Sequence, residues 1–373
     1  MQLITVVGAR PQFIKAAVVS RAIWATLGSK QPIHERILHT GQHYDVAMSA
    51  RFFTDLGLAE PAFHLGIGGG HHGATTGRML EAIEAVLLSE RPDAVLVYGD
   101  TNSTLAGALA TSKLRIPLLH VEAGLRSFNR QQPEEQNRVL TDHLADVCFA
   151  PTDRAAANLK HEGIAAERII RTGDVMADAA RLYGQEAETR AAELLAPLDR
   201  PDAPFILATL HRAENTDDPQ RLSAVLTALV EAPLPVLLPL HPRTRASIRQ
   251  HGLEPLLARL QILEPLGFLT MVLLERRAAL VVTDSGGVQK EAFLQGTPCV
   301  TVRRETEWVE LLDCGWNQLA DPADCEAMLS AMDNQLGLDR HRERPALYGD
   351  GHAAESIVTW IQKEQARVVG GLS

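Results

Sequence analysis

The feature that most constrains this chain is a repeated alternation of short β-branched runs with longer helical patterns. Runs at 3–7, 36–39, 94–98, 117–121 and 146–149 read as strands, and segments 11–27, 77–88, 102–113 and 134–144 as helices. Such a βαβα rhythm predicts a parallel sheet covered on both faces. A second series follows, with strand-like runs at 205–210, 236–240, 262–263, 279–283 and 298–302. Between the two lies an Ala/Glu-rich stretch, 185–204, ending in Pro197, Pro201 and Pro204, which reads as a linker. At 373 residues the chain is too long for one ordinary core and suits two. The expected fold is therefore α/β, with two Rossmann-like domains facing a central cleft. The expected boundaries are 1–185 and 186–352, with a last helical segment, 353–373, crossing back to the first domain. Open α/β sheets bind ligands at the carboxyl ends of their strands, so the chemistry is sought there.

Composition removes several function classes. With 46% hydrophobic and 22% charged residues the chain is ordinary globular protein, not a disordered one. A formal net charge of -10 argues against a nucleic-acid partner, which calls for a basic face. Phosphorylated ligands stay open, because local Arg side chains and helix N-termini decide their binding. The four cysteines, Cys148, Cys299, Cys314 and Cys325, have no CxxC spacing, which argues against a zinc site or disulfide framework and fits a reducing compartment. The run at 3–7 has no basic or long apolar segment before it, and no stretch approaches the roughly 20 apolar residues of a membrane span. A cytoplasmic protein without a membrane partner is expected.

Four motifs carry chemistry. Gly8, Arg10 and Lys15 lie in the GARPQFIK string directly after the first strand. Glycine there lets backbone approach a ligand, and Arg10 offers a two-pronged phosphate donor, although a tight turn with solvated cations has the same composition. The string is not a GxGxxG fingerprint, so a nicotinamide site is not expected. Ser285, Gly286, Gly287 and Glu291 follow the run at 279–283 and enter a helix. Exposed N–H groups at a helix N-terminus suit a diphosphate, and Glu291 suits the hydroxyls of a ribose. A capping Ser with a flexible turn explains part of the pattern, but not the Gly-Gly pair with a downstream Glu.

The third set is carboxylic: Asp100, Glu122 and Glu134. Asp100 reads equally as an N-cap and Glu134 as a first-turn anion. Glu122 ends an apolar run and precedes Gly124, where a buried strand opens. Several carboxylates at strand ends suit proton transfer. They lack the tight clustering of a metal site, so no metal is expected. Fourth, His211 and His241 end successive strands of the second series, as expected for contacts to a diphosphate or acid assistance to a leaving phosphate. The run 303–310, rich in Arg and Glu, reads either as a ligand loop or as a solvated one.

Taken together, GARPQFIK at 8–15, GDTNST at 99–104, HVEAGLRS at 120–127, PEEQNR at 133–138, LHRAEN at 210–215 and TDSGGVQKEA at 283–292 resemble the non-hydrolysing UDP-N-acetylglucosamine 2-epimerase family. The resemblance spans nearly the whole chain. It implies a glycosyltransferase-B type fold, a homodimer, a UDP-linked N-acetylated amino sugar as substrate, and no organic cofactor or metal. It also implies elimination of UDP to a 2-acetamidoglycal followed by re-addition, with Asp100, Glu122 and Glu134 for proton transfer and His211 beside the leaving diphosphate. Gln12 stands where many members have Glu, and Thr306-Glu307-Trp308-Val309-Glu310 stands in place of TERPE. These departures look similar to the branch acting on UDP-2,3-diacetamido-2,3-dideoxyglucuronate. Some bacterial relatives require a second UDP-sugar as effector, held by two glutamines and an Arg. Here the matching positions are Gln42 and Asp45, and the loop at 66–72 has no Arg. A glycosyltransferase of the same fold, a hydrolysing epimerase and a non-catalytic nucleotide-sugar sensor are the competing readings.

Overall fold

The computed structural model describes residues 1–42, 53, 55–198, 203–340 and 342–370. They form two compact α/β units: residues 1–179 with 346–373, and residues 180–345. The divisions thus fall a few residues before those expected. The stretch 185–204 is not an extended linker over its first half. It continues the helix Val175–Thr189 and adds Ala191–Leu195. Ala, Glu and Leu favour helix strongly, and the prolines that suggested a linker come only later.

Unit 1 holds a seven-stranded parallel sheet ordered β3-β2-β1-β4-β5-β6-β7. The strands are β1 (Gln2–Val7), β2 (His34–His39), β3 (Phe63–His64), β4 (Ala94–Tyr98), β5 (Leu118–Val121), β6 (Val147–Ala150) and β7 (Ile169–Arg171). Side chains alternate along each strand, so Ile4 and Val6 share one face with Val95 and Val97. The helices His72–Glu90 and Asn102–Lys113 cover that face through Met79, Ile83, Ala106 and Ala110. The helix Arg10–Trp24 packs against β1 and against the last long helix, Ala353–Lys363. Trp360 of that helix meets Phe149 edge-on, with ring centroids 5.5 Å apart. The Asp178 carboxylate caps the same helix by accepting from the N–H groups of Ala353 and Ala354 at 3.0 and 2.8 Å.

Unit 2 holds a six-stranded parallel sheet ordered β10-β9-β8-β11-β12-β13. Its strands are β8 (Ile206–Thr209), β9 (Val236–Pro239), β10 (Gln261–Leu263), β11 (Leu280–Thr283), β12 (Cys299–Val302) and β13 (Asn317–Ala320). Alternation again divides the core. Ile206, Ala208 and Val282 pack with Leu222, Leu226 and Met328 on one face, while Leu207 and Val281 pack with Leu273 and Ala292 on the other. Each fully buried Leu, Ile or Val contributes about 1.5–3 kcal/mol of transfer free energy. These buried strands are therefore the rigid base from which the loops below depart. No helix among the described residues is long and apolar enough to cross a membrane.

Candidate active site

Each sheet reverses its winding once, at β1/β4 in unit 1 and at β8/β11 in unit 2. Loops leaving the two strands at such a point turn to opposite faces and open a crevice at the carboxyl ends. The sequence motifs occupy those ends. Gly8 and Arg10 follow β1, Asp100 follows β4 and Glu122 follows β5; His211 follows β8, and Ser285 to Gly287 follow β11.

The β1 turn admits only glycine at position 8. A Cβ there would lie 2.1 Å from Ser103 Oγ and 2.2 Å from Thr40 Oγ1. Gln12, one turn into the helix, clasps the loop. Its side-chain oxygen accepts from the Gly8 and Ala9 N–H groups at 2.8 and 3.0 Å. Its amide donates to the Tyr98 carbonyl and to Thr104 Oγ1, both at 2.9 Å. This buried Gln welds the β1 and β4 turns together and leaves Arg10 half-buried at the helix start. Only an amide serves both sets of partners, so Gln in place of Glu is consistent with this donor and acceptor set.

Glu122 has φ +69°, a left-handed conformation that costs a non-glycine residue about 1 kcal/mol or more. Its carboxylate forms a buried ion pair with Lys15, a residue expected from sequence to contact phosphate. The pair lies against the β4 turn: a Cβ at Gly99 would meet Glu122 Oε2 at 3.2 Å and Lys15 Nζ at 3.3 Å. The next residue, Asp100, is ion-paired to Arg138, which also reaches Glu135 at 2.8 Å. Asn137 donates to the Asp100 carbonyl at 2.9 Å. The β1, β4 and β5 ends and the helix Pro133–Leu144 thus converge on Asp100 and Glu122.

The adjacent acids Glu134 and Glu135 take different places. Glu134 is exposed in the first turn of the helix Pro133–Leu144. Glu135 is buried and accepts from the Ser127 and Phe128 N–H groups at 2.9 and 3.0 Å. Burial pushes its carboxyl up, but those N–H groups and Arg138 outweigh it and hold it below the usual range. Glu135 therefore shapes the loop after Glu122.

In unit 2 the organising residue is Asp284, which the motif reading did not single out. Fully buried, it accepts from the His211 N–H at 3.1 Å, the Arg212 N–H at 3.0 Å and Asn215 Nδ2 at 3.2 Å. The His211 ring stands 3.3 Å from the same carboxylate, and 6.4 Å between centroids from the ring of His241. His241 caps its own helix, with Nδ1 accepting from the Arg243 N–H at 3.2 Å. Both rings are exposed at the carboxyl edge of the sheet.

The helix Gly286–Gln295 begins at Ser285, whose side chain caps nothing. Its first N–H groups therefore present a partial positive charge without a capping hydroxyl. The Glu307 carboxylate lies at that end: a Cβ on Gly286 would be 2.3 Å from Glu307 Oε1 and 3.6 Å from Arg212 Nη2. Arg303 holds Glu307 at 3.0 Å. Thr306 donates to Gln289 at 2.6 Å, and Trp308 Nε1 donates to the Gly286 carbonyl at 2.8 Å. The 303–310 run is thus a loop tied to the glycine turn. Further along the helix, Glu291 raises the carboxyl of Glu275: burial pushes Glu275 well up, and the Glu291 charge adds to it. Among the described residues no group of three or more His, Cys, Asp or Glu side chains is placed to hold a metal ion.

Comparison with known proteins meets this geometry. The profile of the UDP-N-acetylglucosamine 2-epimerase family matches residues 25–362. The chain is 51% identical over 368 residues to UDP-2,3-diacetamido-2,3-dideoxy-D-glucuronate 2-epimerase of Pseudomonas aeruginosa, covering 97% of this chain and 100% of that one. It is similar to the crystal structure of Methanocaldococcus jannaschii UDP-GlcNAc 2-epimerase in complex with UDP-GlcNAc and UDP, with a TM-score of 0.86 and 40% identity over 97% of this chain and 100% of that one. The Neisseria meningitidis enzyme bound to UDP-GlcNAc gives a TM-score of 0.83 at 27% identity, covering 97% and 100%. With its glycosyltransferase-B-like pair of Rossmann-type units, the chain belongs to the UDP-N-acetylglucosamine 2-epimerase family of isomerases.

Proposed function

We propose that this protein inverts C2 of a UDP-linked N-acetylated amino sugar, with UDP-2,3-diacetamido-2,3-dideoxyglucuronate as its preferred substrate. The observation that carries the reaction type is the Lys15–Glu122 ion pair lying against the turn of Asp100. It concentrates proton-transfer groups at the carboxyl edge of one sheet, which neither a glycosyl transfer nor a binding-only sensor calls for. The substrate preference is supported by 51% identity to the Pseudomonas enzyme, against 40% to the Methanocaldococcus jannaschii UDP-N-acetylglucosamine 2-epimerase.

A base removes the C2 proton while the C1–O bond to UDP breaks. The C–H electron pair becomes the C1=C2 double bond of a glycal, and UDP departs with the C1–O pair. The diphosphate oxygen then re-adds at C1 and a proton reaches C2 from the opposite face. C2 has no adjacent carbonyl to stabilise a carbanion, so stabilising the departing diphosphate governs the rate. Arg10, His211, His241, Ser285 and the N–H groups of Gly286 and Gly287 take that role, and Glu291 takes the ribose. Asp100, Glu122 and Glu134 are the proton-transfer set, with Lys15 holding the Glu122 carboxylate in place. On this reading the enzyme works without an organic cofactor or metal, as a cytoplasmic homodimer.

The test is NMR of the purified protein in heavy water with the uronate substrate alone and, separately, with UDP-N-acetylglucosamine. Inversion with deuterium at C2 in both product and recovered substrate is expected, faster for the uronate. Inversion without exchange would overturn the elimination route, and a requirement for an acceptor would point to glycosyl transfer.

A further inference from the structure

The carboxylate of Asp142 lies fully buried beneath the β5 turn, outside every motif assigned above. Its Oδ1 meets His120 Nδ1 at 2.7 Å, and its Oδ2 accepts from the Gly124 N–H at 3.1 Å and pairs with Arg126 at 2.7 Å. Residues 120, 124 and 126 are therefore gripped by one carboxylate, and Glu122 sits in the middle of the segment they bracket. The other His120 nitrogen, Nε2, stands 2.8 Å from the Gly99 carbonyl. The ring thus bridges the Asp142 carboxylate and the β4 turn through its two nitrogens. Arg126 also holds Glu162 at 2.7 Å. Burial pushes the Asp142 carboxyl up, but His120 and Arg126 outweigh it and keep it below its usual range.

We propose that Asp142, acting through His120, is a positioning residue that holds Glu122 in its left-handed conformation and ties the β5 turn to the β4 turn carrying Asp100. A left-handed non-glycine residue persists only where its surroundings over-determine it. Here the grip on both sides of Glu122 supplies that constraint. Its output is the direction of the Glu122 carboxylate, not the binding of UDP, which the proposed function assigns to Arg10 and the unit 2 motifs. The proposal rests on the proton-transfer reading of Glu122.

The experiment compares Asp142→Asn, His120→Gln and Glu122→Gln, alone and combined, by kcat, KM, UDP affinity and thermal melting. Gln reproduces the Nε2 end of His120 and keeps the Gly99 bond while losing Asp142. Asp142→Asn and His120→Gln are each expected to lower kcat at least about tenfold, the scale of a misplaced catalytic group, with KM and UDP affinity within about threefold. Added to Glu122→Gln, either change is expected to cost no further turnover, because both act through the same carboxylate. Full kcat in both single variants, or losses that multiply on the Glu122→Gln background, would overturn the clamp. If Asp142→Asn does not fold, His120→Gln decides alone. Normal turnover in Glu122→Gln would instead overturn the proton-transfer reading, whatever the clamp variants do.

Discussion

Lys15, one and a half turns into the first helix, and Glu122, at the end of the fifth strand, meet as a buried ion pair although 107 residues separate them. The pair places a carboxylate at the edge of the sheet beside the Asp100 turn, with a fixed cation behind it. Removing the carboxylate's charge while keeping its shape is expected to lower turnover by at least about a hundredfold, the lower scale of general acid–base contributions. Steady-state rates and UDP binding of Glu122→Gln check this, and UDP affinity is expected to stay near its original value.

Lys15→Met leaves Glu122 desolvated without its cation. Breaking one side of a buried pair typically costs about 3–5 kcal/mol, mostly from the charge left behind. The double variant Lys15→Met with Glu122→Gln removes that charge and is expected to recover most of the loss. Urea denaturation of both proteins tests the difference. Equal instability in the single and double variants would show that Lys15 matters for packing alone.

Gly286→Ala probes the diphosphate end. Its Cβ would enter the space of Glu307 Oε1, at 2.3 Å, directly at the uncapped helix start. A displaced Glu307 side chain absorbs the clash, so the fold is expected to survive. The N–H groups meant for the diphosphate, however, lose their clear approach. UDP affinity is expected to weaken about tenfold, roughly the contribution of one charge-assisted hydrogen bond, read by calorimetry. Unchanged UDP affinity would remove this helix start from the binding site.

The strands and the loops that follow them were legible because buried parallel strands require continuous β-branched runs, and glycine or acid residues at their ends interrupt those runs. Short edge strands such as Phe63–His64 and Ile169–Arg171 were not, since two or three residues carry no period. Asp142 and Asp284 escaped for a different reason. Each acts by hydrogen bonds to backbone or rings far away in sequence, as Asp284 does with His211 across 73 residues, and nothing local marks them. Gln12 was visible as a departure from the family pattern, but its bonds to Tyr98 and Thr104 are fixed only by the fold. Lys15 was visible as a cation beside a glycine turn, but its partner is fixed only by the fold.

The Glu35 carboxyl accepts from Thr5 Oγ1 at 2.5 Å beneath the first sheet, near Tyr98. Burial raises its pKa, with the Thr5 hydroxyl opposing the shift. A raised folded-state value means the group's contribution is complete below the unfolded value of about 4.3 and declines as pH climbs through the folded value. Glu35→Gln has no proton to lose and keeps an oxygen for Thr5. Its stability relative to the parent protein is expected to improve as pH is raised from about 4 toward about 8, because the parent's carboxyl then ionises. A difference in melting temperature that stays constant over that range would contradict the assignment.

Relatives that depend on a second UDP-sugar hold it with two glutamines and an Arg, and of these only Gln42 has a described counterpart here; Asp45 lies outside the described residues. Gln42 Oε1 is already engaged by the Ser103 N–H and hydroxyl at 3.1 and 2.7 Å. The loop at 66–72 has no Arg, and the nearest guanidinium in sequence, Arg78, donates to the Gly69 carbonyl at 3.1 Å. An anionic effector would find no Arg in the loop at 66–72 and would need Arg78 to leave its carbonyl, and an unpaired desolvated charge costs several kcal/mol by order of magnitude. The uronate substrate is therefore expected to epimerise alone, with hyperbolic kinetics and no activation by added UDP-N-acetylglucosamine. Sigmoidal rates that become hyperbolic on adding that nucleotide sugar would show that an effector site persists. Arg78→Ala would then ask whether this side chain rebuilds it.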